Sequence, residues 1–231
     1  MDTLLSKHGG ELLDGLWLTI WLTAVGFTGA LLLGAVLATF RISPIAPLRW
    51  ASATFVEVFR NVPMFSLLIL VVYGLPQAGM NLGRVGSVIL CIVFVGSAFA
   101  AETIRTGVNA VGVGQVEAGR SIGLSFGGVI TQVVLPQAIR TVIGPLVTLF
   151  IGILLSSALA GVVGMPELTM VASEINNKEA LGLLTFIVAA VMYATISLGA
   201  GGIGAPAQQQ EPVRRRQDGL VDLELYRRGE L

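Results

Sequence analysis

From Gly15 to Phe40 the chain carries no charged side chain. Four more uncharged apolar runs follow: Val62 to Gly74, Val85 to Ala101, Thr141 to Val163, and Ala180 to Ile203. A charge at mid-bilayer costs about 2.5–3.5 kcal/mol on insertion scales, so runs of this kind are selected by lipid rather than by water. The composition agrees. Hydrophobic residues make up 54% of the chain and charged residues 12%, whereas soluble domains carry about 25% charged residues. The expected fold is an all-α integral membrane protein with about five transmembrane helices, because a backbone in lipid must satisfy its own hydrogen bonds.

The first run begins with Trp17 and Trp21, where indoles favour the headgroup level. Arg41, Arg49 and Arg60, with Pro44 and Pro47, form a linker to the second run, which has Pro63 near its start. A proline there is tolerated, since the first N–H groups of a helix have no internal acceptor. The start, MDTLLSKHGGELLDG, has no basic opening and no small-residue cleavage site, unlike a signal peptide. Cys91 lies in an apolar run and reads as a small buried hydrophobe. His8 has no visible ligand partner in the sequence and is assigned no role.

The charges orient the runs. Eleven arginines fall in three regions that five spans place on one side: 41, 49 and 60; 105, 120 and 140; 214, 215, 216, 227 and 228. Lys7, Arg84 and Lys178 fall on the other. The positive-inside rule makes the arginine-rich side cytoplasmic, with the N-terminus outside and the C-terminus inside. The expected division is an extracytoplasmic segment over 1–14, a transmembrane domain over 15–205, and a cytoplasmic polar tail over 206–231. Arg214-Arg215-Arg216 in that tail suits anionic headgroups.

Between the third and fourth runs lies a platform too charged and too glycine-rich to cross lipid, from Glu102 to Arg140. Gln115 to Ile122 has the makings of a short helix with Glu117 and Arg120 one turn apart. Gly123 allows a sharp turn, Ser125 suits the N-cap of a second short helix, and Pro136 is expected to break it and restart the chain toward the fourth span. Glu117-Ala118-Gly119, then Gly123, then Val133-x-Leu135-Pro136 fits the spacing E-A-A, three residues, G, nine residues, I-x-L-P, with Gly119 where alanine is usual. This resembles the cytoplasmic coupling loop of permease subunits of binding-protein-dependent ABC importers. Ala100 to Gly107 with Gly114-Gln115, Phe59 to Pro63, and Val162 to Leu168 resemble blocks of the polar amino acid permeases. The likeness covers roughly residues 15 to 205. It implies that the first short helix inserts into a cleft of a separate ATPase. Glu117 and Arg120 would be at the contact, small Ala118 and Gly119 would allow close approach, and Gly123, Leu135 and Pro136 would shape the loop.

Several chemistries are missing from the residue pattern. There is no G-x-x-x-x-G-K-[ST] phosphate loop, so no cofactor is expected on this chain, and ATP with Mg belongs to a partner ATPase. No His/Cys set has metal-ligand spacing, and no basic stripe fits nucleic acid. In the resembling permeases the fourth span carries a K-[ND]-[ST]-[ST]-L type stretch. Here Leu155-Ser156-Ser157-Ala158-Leu159 lacks the lysine, leaving Ser156 and Ser157 as hydroxyls for a translocation path. The expected protein is not an enzyme. It is the permease of an ABC importer in a bacterial inner membrane, moving a polar amino acid (glutamate or glutamine) by alternating access. Its expected partners are an ATPase dimer, a second permease chain, an extracytoplasmic binding protein and membrane lipid. A scaffold or enzyme subunit that holds another partner on the loop, or a passive channel, is the alternative.

Overall fold

The computed structural model describes residues 2–208 and, among them, helices without a strand. The helix α1 (Asp2–Ile42) is unbroken over 41 residues. At about 1.5 Å per residue it is about 60 Å long, roughly twice the hydrocarbon thickness. Residues expected as a separate N-terminal segment are therefore its first turns. His8 is not idle there. Its ring is buried, with Nδ1 2.8 Å from Glu11 Oε1 and Nε2 3.1 Å from Glu179 Oε1, while Lys7 also pairs with Glu179. Lys7 first and then His8 hold the Glu179 carboxyl below the usual carboxylate range. The partner was invisible in the sequence because Glu179 is 171 residues away.

The arginine-bearing linker is itself mostly helix. Pro47 lies in the first turn of α2 (Ala46–Asn61), and Ser52 Oγ is buried, donating to the Leu37 carbonyl at 2.7 Å. After Asn61 the chain bends by 101° into α3 (Met64–Gln77). Fourteen residues reach only about 21 Å, short of the hydrocarbon core. Four helices are long and apolar enough to cross a membrane alone, and a fifth span exists only if the bent pair counts as one.

Five more helices complete the described residues: α4 (Gly83–Asn109), α5 (Val113–Ser121), α6 (Phe126–Val163), α7 (Leu168–Glu179) and α8 (Leu183–Gln208). Pro136 does not break α6. A π-helical turn at Ile130–Val134 precedes it, with the Leu135 N–H donating to the Ile130 carbonyl. The same device recurs in α3, where a π turn at Leu70–Gly74 precedes Leu75-Pro76. Proline lacks a donor and crowds the carbonyl four residues back, and widening the ladder by one residue relieves both problems. α6 ends in a 3₁₀ stretch at Ser157–Val163. In α8 the helix continues through Gly199, Gly201 and Gly202. It also runs past the 205/206 boundary expected for the tail, whose residues 209–231 lie outside the described part.

The helix α7 was not foreseen, because its 12 residues are polar on average. It starts at Glu167, which is fully buried and accepts from the Thr169 and Met170 N–H groups and from the Tyr193 hydroxyl. Leu168, Ala172 and Ile175 pack from it into a core shared with Leu12, Leu154 and Val188. A second core gathers Leu22 and Ala30 of α1, Leu68 of α3, Val88, Cys91 and Ile92 of α4, and Ile153 of α6. Cys91 is thus the buried hydrophobe expected.

α1 and α4 pack most extensively, and one glycine shows how closely. A Cβ built on Gly34 would lie 3.1 Å from both the Ala101 nitrogen and the Ser97 carbonyl oxygen, backbone atoms that cannot rotate away. Gly34→Val should therefore cost about 1–3 kcal/mol, the usual range for overpacking, and lower the unfolding midpoint in detergent. Gly10→Val, with nothing within 4 Å of its Cβ position, should leave it nearly in place. An unchanged midpoint for Gly34→Val would contradict this contact.

Candidate functional site

The platform between α4 and α6 is built around one turn. α4 ends at Asn109, and Gly112 opens α5 without a side-chain cap. At the far end Gly123 takes φ +87°, a left-handed conformation that disfavours side chains. Its N–H donates to the Arg120 carbonyl at 3.0 Å, and the Leu124 N–H donates to the Gly119 carbonyl at 3.2 Å. That pair of bonds is a Schellman closure, which satisfies carbonyls that a helix end otherwise leaves open. Ser125 then caps α6 by accepting from the Gly128 N–H at 3.2 Å.

The turn folds α5 back onto the first turns of α6. Gly119 is buried in that contact. A Cβ there would meet Val129 Cγ2 at 3.3 Å, Val133 Cγ2 at 3.5 Å and Leu124 Cδ1 at 3.6 Å. It therefore serves the loop's own packing rather than a close approach from outside, and only Ala118 of the small pair is exposed. Glu117 and Arg120 are exposed and form no ion pair with each other among the described residues. Around them Val113, Ile122 and Phe126 are 70%, 80% and 77% exposed. Large exposed apolar side chains beside charged ones mark a contact surface. Leu135 and Pro136 are also exposed, but they lie beyond the π turn on which α5 rests.

Two cavities lie between α4 and α6. The first, of about 340 Å³, falls within the usual range for small-molecule sites, about 300–1,000 Å³. Its walls are largely apolar, from Ile92, Val95, Phe99, Leu149 and Ile153, and Ser156 is among them. Ser157 is not. It is buried and donates to the Leu154 carbonyl at 2.7 Å, a bond that serves the helix end. The second cavity, of about 250 Å³, shares Phe99, Thr103 and Pro145 with the first and adds Arg60, Glu102, Thr106 and Thr141. Arg105 donates to Glu102 through Nε at 3.2 Å and through Nη2. The wall shared by Arg60 and Thr103 escaped the sequence reading, which had both only in blocks of resemblance, because they lie on separate helices and nothing local to either signals the other.

The family model described as the inner membrane component of binding-protein-dependent transport systems matches residues 30–204. The chain belongs to that family. The glutamate transport system permease protein GluC of Corynebacterium efficiens is 33% identical to this permease, over 90% of this chain and 98% of that one. The probable glutamine ABC transporter permease protein GlnM of Bacillus subtilis is 31% identical, over 80% and 86%. Among solved structures, a chain of an amino acid ABC transporter crystallised with histidines matches with TM-score 0.83 and 30% identity, over 89% of the permease and 96% of that chain. An inward-facing MetNI methionine ABC transporter shares the fold at TM-score 0.66 and 19% identity.

The turn makes a prediction that separates shape from packing. Gly123→Asp forces a charged side chain into the left-handed region and should reduce transport at least about tenfold if the strain exceeds about 1.4 kcal/mol. The amount in the membrane should stay nearly unchanged, since no span is touched. Gly119→Ala, which needs its neighbours to yield by only a few tenths of an ångström, should retain most transport. Full transport by Gly123→Asp would contradict the role given to the turn.

Proposed function

We propose that this permease moves a polar amino acid, glutamate or glutamine, into the cell by alternating access. A separate ATPase drives the cycle and binds ATP and Mg. The observation that carries this reading is the Gly123 turn, which leaves exposed Glu117, Ala118 and Arg120 among exposed apolar side chains. α5 is the element that seats in the ATPase, and movement of the ATPase reaches α4 and α6 because short connections join α5 to both. Glu117, Ala118, Arg120 and Gly123 act at or next to that seat, while Leu135 and Pro136 shape the start of the span behind it. Ser156 offers its hydroxyl to cargo in the first cavity. The names of the relatives support an amino acid as that cargo.

In this arrangement the permease works in a bacterial inner membrane with a second permease chain, two ATPase subunits and an extracytoplasmic binding protein. The arginine-rich side, with α5, faces the cytoplasm and the N-terminus faces outward. The test is reconstitution. Purification should bring down an ATPase without membrane spans, and its hydrolysis should rise when loaded binding protein is added. In intact cells carrying Cys91→Ser, an impermeant thiol reagent should label Ser173→Cys and spare Ser125→Cys. A chain that purifies alone and conducts passively, or the reverse labelling pattern, overturns the proposal.

A further inference from the structure

The two cavities differ in charge, and the difference has a use. No charged residue lines the first, so that cavity has little means of telling an acid from its amide. Arg60 and Glu102 line the second, which shares Phe99, Thr103 and Pro145 with the first.

The charges around the second cavity do not balance. Arg105 already occupies Glu102 through two of its nitrogens. Arg60 has no carboxylate partner among the described residues, and its guanidinium sits 5.5 Å from the Phe99 ring centroid. Arg41 is close enough for its charge to act on the same Glu102 carboxylate. Its Nη1 is shut off from solvent without a hydrogen-bond partner. Arg60 acts on that carboxylate at a distance as well.

The hydroxyls point the same way. Thr141 and Thr148 donate to the carbonyls of Gln137 and Gly144, as threonines in spans commonly do. Thr103, Thr106 and Ser156 line the cavities and have no such partner among the described residues. Pro145 also has no N–H to give to the Thr141 carbonyl one turn before it, which leaves an acceptor for an ammonium group at the same wall.

We propose that the second cavity is a carboxylate-reading site, in which Arg60 selects an acidic amino acid over its neutral amide. This rests on the amino acid reading above and narrows it. With Glu102 held by Arg105, Arg60 is the charge on the cavity wall without a carboxylate partner among the described residues. A zwitterion brings it no net charge, whereas an amino acid with a second carboxylate does. Arg60 is suited to the role because a guanidinium presents paired donors to a carboxylate. The Thr103 and Thr106 hydroxyls and the Thr141 carbonyl would take the remaining polar atoms.

The test is equilibrium binding of radiolabelled glutamate and of glutamine to the purified permease complex without binding protein, since that protein would impose its own selectivity. Wild type should prefer glutamate, with the preference shrinking as salt rises. Arg60→Gln should weaken glutamate about tenfold or more, the size expected for one lost charge-assisted hydrogen bond, and change glutamine far less. Arg60→Lys keeps the charge without the paired donors and should retain part of the preference. Equal loss for both ligands, no preference in wild type, or no binding at all overturns the assignment. If hydrolysis by the same wild-type complex still rises with loaded binding protein, the carboxylate site falls while the importer reading stands.

Discussion

A bilayer offers the backbone no hydrogen-bond partners, and the architecture follows from that constraint. The helices persist where proline would ordinarily end them. α3 and α6 cross Leu75-Pro76 and Leu135-Pro136 through π turns, which keep the ladder closed at the cost of one extra residue per bond. At some of the breaks another group takes over the capping. Glu167, Ser125 and the Gly123 turn each do this by a different route: a buried carboxylate, a hydroxyl, and a left-handed backbone.

The Gly123 turn satisfies its own carbonyls and leaves side chains unspent. Inside the turn, Gly119 packs on Val129 and Val133, so α5 is held from behind by apolar contact. Outside it, Glu117, Ala118 and Arg120 have no competing partner in the loop. α5 and its turn link α4 to α6, and these two helices also wall both cavities. Force applied at α5 therefore has a short covalent route to the cavity walls.

Much of this was legible in the sequence because charge and spacing are local quantities. The uncharged runs located the long spans, and the Glu117 to Pro136 spacing located the turn, including the left-handed glycine and the Ser125 cap. What escaped depended on distance in the chain. His8 meets Glu179, Glu167 meets Tyr193, and Arg60 shares a wall with Thr103, pairings no local pattern reports. α7 escaped because a helix buried on one side and polar on average looks like a loop when only mean hydropathy is read. Pro136 misled for a related reason: a π turn is set by how the ladder accommodates the ring, which the residue itself does not announce.

The central claim is that α5 seats in a separate ATPase, and proximity tests it most directly. In a Cys91→Ser permease, Ala118→Cys should cross-link to cysteines placed in the ATPase surface cleft when the assembled complex is treated with a short bifunctional maleimide. The yield should change between nucleotide-free and ATP-bound states. Asn81→Cys, in the exposed loop before α4 at the opposite end of that helix, should give no such product. Cross-linking of the ATPase through position 81 with none through position 118 would contradict the account.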